Sequence, residues 1–158
     1  MYWITQINKS QIGFGPCPSE EQLEQELLSY QTEGIKLVVS LLEEMEIDSC
    51  GCTNEDKICI AKNIEYLIFP IRDMSIPSLK SLINFIELLY AKTYLADKIY
   101  IHCRHGIGRS SLVVASLLVR SGMELKGALL LMEQKRGLKV PETLSQKKLL
   151  SAYSNSIK

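Results

Sequence analysis

The 158-residue chain has no run of about 18 consecutive apolar residues, the length a helix needs to cross a bilayer, so no membrane span is expected. Its first residues, Met1-Tyr2-Trp3-Ile4-Thr5-Gln6, lack the basic region and apolar run of a secretory leader. An excess of one charge sign is missing too: Lys and Arg total 18, as do Asp and Glu. No overall field exists to draw in nucleic acid or an anionic membrane, so any attraction for an anion must be local. The five cysteines, Cys17, Cys50, Cys52, Cys59 and Cys103, are odd in number and follow no disulfide spacing. A reducing, cytoplasmic setting is expected from that usage. Cys50-Gly51-Cys52 with Cys59, and neither histidine near, does not match the paired spacings of a zinc site. Internal repeats, low-complexity tracts and linkers are likewise lacking.

What is present is 46% hydrophobic and 23% charged, enough apolar content for one globular domain over residues 1–158. Tyr2–Ile4 and Ile12–Phe14 read as a short edge hairpin closed by Gly15-Pro16. Ser19 with Gln22 has the form of a capping box, and Leu23, Leu27 and Tyr30 recur at helical spacing up to Gly34. Ile35–Leu41 is a nearly continuous apolar run, as in a strand buried on both faces. From there to Asn63 the pattern predicts one short helix, capped by Thr53 or Asn54.

Ile64–Pro70 restores a strand. The stripe Leu79, Leu82, Ile83, Ile86, Leu89 and Tyr90 marks an amphipathic helix starting after Ser78. Lys98–His102 is a further strand. Leu112–Val119 is too apolar for a surface helix and should be packed on most sides, and helices over Leu125–Arg136 and Glu142–Tyr153 follow. Strands separated by helices argue an α/β domain with a mainly parallel central sheet flanked by helices.

The chain's chemistry concentrates in His102-Cys103-Arg104-His105-Gly106-Ile107-Gly108-Arg109-Ser110, between a strand end and the helix that begins near Ser110. Gly106 and Gly108 let the backbone curl until the N–H groups from Arg104 to Arg109 point at one centre, and the helix adds the positive end of its dipole. In that field Cys103 would sit as a thiolate below a bound anion. Arg109 offers a planar fork that can hold two oxygens of a phosphate.

His102, Cys103, Gly106, Arg109 and Ser110 fit the H-C-x-x-G-x-x-R-S/T signature, in which the chain resembles the cysteine-based protein phosphatases. Its length is similar to that of the compact dual-specificity and kinase-associated group. The resemblance implies a protein-tyrosine-phosphatase-like α/β fold and hydrolysis of phosphotyrosine, and with less support phosphoserine or phosphothreonine, in a phosphoprotein substrate, with no cofactor or metal. Cys103 would be the nucleophile, Arg109 the phosphate clamp, and Ser110 the hydroxyl that helps the thiolate leave. Arg104, His105, Gly106, Ile107 and Gly108 would form the phosphate-binding loop, and His102 would support it through hydrogen bonds.

Asp73, thirty positions before Cys103 in a loop between Pro70 and Pro77, resembles the family's general acid, although Arg72 stands where many relatives have a small residue. Glu142-Thr143-Leu144-Ser145-Gln146 resembles a Q-T-x-x-Q segment whose last glutamine places the attacking water. Gln146 matches it and Glu142 departs from it. Read from the residues alone, Asp73 is also a turn aspartate, His105 an exposed loop side chain and Gln146 a solvated helix residue. Lys135 and Arg136 read as cations offsetting a helix C-terminus. Rival substrates are RNA 5′ ends and phosphoinositides, and a phosphoprotein-binding module is the rival of another class. The balanced charge argues against a nucleic-acid partner.

Overall fold

The computed structural model describes residues 1–157, the side chain of Glu20 excepted. In chain order the elements are β1 (Tyr2–Ile7), β2 (Ser10–Pro16), a single 3-10 turn (Glu20–Gln22), α1 (Leu23–Glu33), β3 (Leu37–Ser40), α2 (Glu44–Ser49) and α3 (Glu55–Ala61). There follow β4 (Glu65–Ile68), α4 (Leu79–Lys92), β5 (Lys98–Cys103), α5 (Arg109–Arg120), α6 (Leu125–Arg136) and α7 (Leu144–Ser156). The five strands form one sheet in the order β1-β2-β5-β3-β4, parallel except for the β1–β2 hairpin.

Period-two alternation divides the core between the two faces of this sheet. Ile12, Phe14, Leu37, Val39, Ile99 and Ile101 pack with α4, α5, α6 and α7. Val38 and Tyr100 point the other way, into a smaller cluster with Leu27 and Tyr30 of α1 and Cys59 of α3. Every residue from Arg109 to Val119 is buried, so α5 is the central helix, as the apolar stretch Leu112–Val119 predicts.

Three local expectations are corrected. The hairpin is an edge feature only through β1; β2 lies inside the sheet, in parallel register with β5 from Gln11↔Lys98 to Pro16↔Cys103. Ser19 does not cap a helix through its side chain: α1 begins only at Leu23, too late for Gln22 to be its third residue. The Ser19 N–H and Oγ both donate instead to Glu26 Oε1, each at 3.0 Å. The stretch before Asn63 holds two helices rather than one. The extra helix, α2, buries none of its residues, so it leaves no apolar period to read. α3 starts after Asn54, whose side chain makes no capping bond.

Parallel β strands all end at the same edge, and that arrangement positions the site. The C-terminal end of β5 delivers Cys103, the segment after β4 delivers Asp73, and the segment after β3 runs into α2.

Candidate active site

Cys103 closes β5 and Arg109 opens α5, with residues 104–108 as the loop between them. Gly106 has φ +66°, a conformation costly for any residue with a Cβ. It also has no room for one: a Cβ there would lie 2.2 Å from the Gly15 carbonyl carbon and 2.5 Å from the Pro16 nitrogen. The loop is thus pressed onto the end of β2. The Cys17 N–H extends that strand contact, donating to the Cys103 carbonyl at 2.7 Å.

Cys103 is 3% exposed, and its sulfur lies 3.4 Å from Ser110 Oγ. The N-cap of α5 is Gly108, two residues before Ser110, so the Ser110 hydroxyl is free of capping and faces the sulfur. Arg109 is 2% exposed. Its Nη1 donates to Glu46 Oε2 at 2.6 Å and to the Ile71 carbonyl at 2.9 Å, while Nη2 donates to Glu46 Oε1 at 2.9 Å. Asp73 Oδ1 lies 3.0 Å from Nη2, and its side chain is half exposed at the mouth of the site.

Burial alone would push the Glu46 carboxyl up. The hydrogen bonds from Arg109 and from the Glu43 N–H, with the charges of Arg109 and Arg104, outweigh burial and hold it below the usual carboxylate range. For Arg109, burial opposes the charged guanidinium, but the bonds to Glu46 and the nearby Cys103, Glu46 and Asp73 hold its pKa above the ordinary value.

Asp73, Met74, Cys103, His105, Gly108, Arg109, Glu142 and Gln146 together line one small pocket. Seven of the residues expected at the site therefore meet there, counting Ser110 beneath the sulfur. Ile107 packs against the core, and Arg104 is exposed at the rim, its carbonyl accepting from the Cys17 thiol at 3.8 Å. A second hollow, beside Val119, Met123, Leu125 and Ile157, is lined by neither a cysteine nor an arginine.

His102 departs from expectation. It points to the opposite face of the sheet, where Nε2 lies 3.0 Å from Oε1 of the fully buried Glu55, whose Oε2 accepts from Tyr66 Oη at 3.0 Å. The His102–Glu55 approach is close but out of line for a hydrogen bond, and neither ring nitrogen bonds to the loop. The family-style support by hydrogen bonding is thus absent here, because successive residues of β5 alternate sides and the loop curls away on the side of Cys103.

Arg136 supports the loop instead. Its guanidinium donates to the carbonyls of Gly106 at 3.2 Å and His105 at 3.3 Å, and to Tyr2 Oη at 2.8 Å, while lying 4.3 Å from the Tyr2 ring centroid. The role as a mere helix-end cation is corrected accordingly. Holding these carbonyls outward leaves the N–H groups of the same peptides free to face the pocket. Gln146 has two attachments: its N–H donates to Thr143 Oγ1 at 3.2 Å, and its Oε1 accepts from the Thr143 N–H at 3.1 Å, a reciprocal cap on α7. Sequence reasoning missed Glu46, Glu55 and Arg136. The one available signal was that a buried guanidinium requires a carboxylate partner, and this does not say which glutamate supplies it.

Comparison with known proteins agrees with this fold. The family model described as "Tc-R-P: Polymorphic toxin system, DSP-PTPase phosphatase" matches residues 13–123. The chain is 36% identical over 112 residues to "Putative tyrosine phosphatase 067L" of Invertebrate iridescent virus 3, a match covering 66% of this chain and 41% of that protein. It is 30% identical over 112 residues to "Putative tyrosine phosphatase 197R" of Invertebrate iridescent virus 6, covering 66% of this chain and 37% of that one. The matched stretch therefore spans about two fifths of the length of these curated relatives. Among solved structures it is similar to Tk-PTP in the active form, with TM-score 0.76, 27% identity and 91% of each chain covered. The kinase associated phosphatase superposes with TM-score 0.81 at 20% identity, covering 94% of this chain and 86% of the other, and at that identity it speaks to the fold alone.

Proposed function

Since the chain belongs to the DSP-PTPase phosphatase family of the polymorphic toxin system, we propose that it hydrolyses phosphate monoesters of proteins, phosphotyrosine foremost, through a cysteinyl-phosphate. The observation that carries this reading is the meeting of a sulfur, a buried guanidinium and a half-exposed carboxylate around one glycine-turned loop. Cys103 attacks phosphorus in line, so that an S–P bond forms as the P–O bond to the leaving group breaks. The loop N–H groups and Arg109 hold the three peripheral oxygens as charge redistributes. Asp73 protonates the departing oxygen. For that it must leave Arg109 Nη2, whose N–H a bound phosphate takes over. The Ser110 hydroxyl, 3.4 Å from the sulfur, stabilises the thiolate when water later cleaves the intermediate. No helix of the described chain is long and apolar enough to cross a membrane.

The test is a panel of phosphotyrosyl peptide, phosphoinositide and RNA 5′-triphosphate, each assayed with wild type and with Cys103→Ser. Turnover of the peptide by wild type and its loss in Cys103→Ser, with substrate binding kept, is the expected result. Phosphate release from the lipid or the RNA alone would move the reading to that substrate class. Release that survives in Cys103→Ser would overturn it.

A further inference from the structure

The pocket around Cys103 is lined by two carboxylates, and the reaction proposed above employs only Asp73. The geometry points to Glu142 as a specificity residue, whose carboxylate receives the side-chain cation of a lysine or arginine next to the phosphotyrosine. The substrate class is then a basic phosphotyrosyl segment of a protein. This rests on the phosphatase reading above and narrows it. A carboxylate beside a phosphate dianion repels it, and a cation carried by the substrate turns that repulsion into selection.

Glu142 reaches the pocket over Gly108. A Cβ on Gly108 would lie 3.1 Å from Glu142 Oε2, 2.9 Å from Gln146 Nε2 and 3.1 Å from Gln146 Oε1. The missing Gly108 side chain is what admits both groups to the loop. Gln146 is buried, and its Oε1 is engaged by the Thr143 N–H, which leaves a neutral NH₂ as a donor. Glu142 is exposed, so its carboxylate is open to a side chain arriving across the mouth of the site. The guanidinium of Arg109 does not neutralise it, being matched by Glu46 at 2.6 Å and Asp73 at 3.0 Å. Among the described residues Glu142 takes part in no ion pair.

A phosphotyrosine whose phosphate rests on the loop leaves its own backbone at the mouth, and the next residue begins one backbone step of about 3.8 Å away. The stem of a lysine or arginine there can lie back along the aromatic ring and bring its charged head to Glu142. The same carboxylate works against acidic flanking residues and against ligands that carry further anionic groups beside the phosphate, such as an RNA 5′-triphosphate. A competing role exists within the fold. Glu142 directly precedes Thr143, the N-cap of α7, where an acidic side chain also favours the helix dipole. That role predicts an effect on stability and none on the choice between charged substrates.

The test uses three phosphotyrosyl peptides, identical except for lysine, its neutral isostere norleucine, or glutamate on both sides of the phosphotyrosine. kcat/KM is measured for each with wild type, Glu142→Gln and Glu142→Lys. Ratios between peptides cancel whatever a substitution does to the chemistry common to all three. Wild type should prefer lysine to norleucine by about fivefold, the upper value for an exposed charge pair, and glutamate should be the poorest. Glu142→Gln should bring the lysine preference to within about twofold of unity, and Glu142→Lys should reverse the order. Raising ionic strength from about 10 mM to about 300 mM should shrink the wild-type preference. A wild type indifferent to the flanking charge would overturn the proposal, as would a lysine preference that survives in Glu142→Gln. A lower Tm in Glu142→Gln with unchanged ratios would assign the residue to the helix dipole instead. A wild type without Cys103-dependent turnover of any peptide would remove the phosphatase reading, and this inference with it.

Discussion

Replacing Glu46 by Gln tests whether the hold on Arg109 comes from α2, the element least visible in the sequence. The Glu46 side chain is 12% exposed and that of Arg109 2%, so the pair is largely removed from water. Breaking a buried pair by deleting one charge typically costs about 3–5 kcal/mol. Here the guanidinium keeps the Ile71 carbonyl and Asp73, and the carbonyl of the substituted amide can still accept one of the two bonds, so about 2–3 kcal/mol is expected at neutral pH. For a domain of this size that lowers Tm by about 4–12 °C. The fork also loses its aim, and a misplacement of about 1 Å in a positioning group is worth about a hundredfold in rate. Because the folded-state pKa of Glu46 lies below its unfolded value, its contribution is present above the unfolded value and is lost as pH falls through the folded one. Protonated Glu46 resembles a glutamine, so wild type and Glu46→Gln should converge in acid. Urea unfolding at neutral pH and through the carboxylate range, with kcat/KM at neutral pH, measures all of this. A stability gap that persists unchanged in acid, or an unaltered kcat/KM, would refute the argument.

Two further outcomes are expected. Asp73→Asn should lower turnover of phosphotyrosine, whose phenol has a pKa of about 10, by about 10²–10⁴-fold, and should spare an activated aryl phosphate whose anion leaves unaided. Equal losses on both substrates would show that the proton comes from elsewhere. Arg136→Gln removes the guanidinium that holds the carbonyls of His105 and Gly106, so Tm should fall by a few degrees and kcat/KM by about ten- to a hundredfold. Tyr2→Phe, which loses one bond and keeps the ring, should do much less. Wild-type kinetics in Arg136→Gln would show that the loop is held by β2 alone.

The fold was legible where one face of an element had to be apolar. β3, β5, α4 and α5 each announce themselves by period or by continuous apolarity, and Gly34 and Gly137 mark helix ends by adopting the left-handed conformation. α2 was not legible, because it buries nothing and is held by its contact with Arg109 rather than by a hydrophobic stripe. The Ser19-Gln22 pattern misled because a capping box needs the helix to start immediately after it, and a 3-10 turn intervenes.

At the site, the sequence by itself determined the loop. Spacing alone sets Cys103 before and Arg109 after two glycines, and a strand-to-helix turn of that length leaves the backbone few ways to close. The ring of groups around the loop was decided only by tertiary structure. Glu46, Asp73, Arg136 and Glu142 come from four separate segments, and each charge could have been a solvated surface residue in any of them. Which ones face the sulfur follows from parallel strands ending at one edge, and from the need of a buried guanidinium for a carboxylate within reach. Neither requirement is written in local sequence, because both act between residues that only the packed sheet brings together.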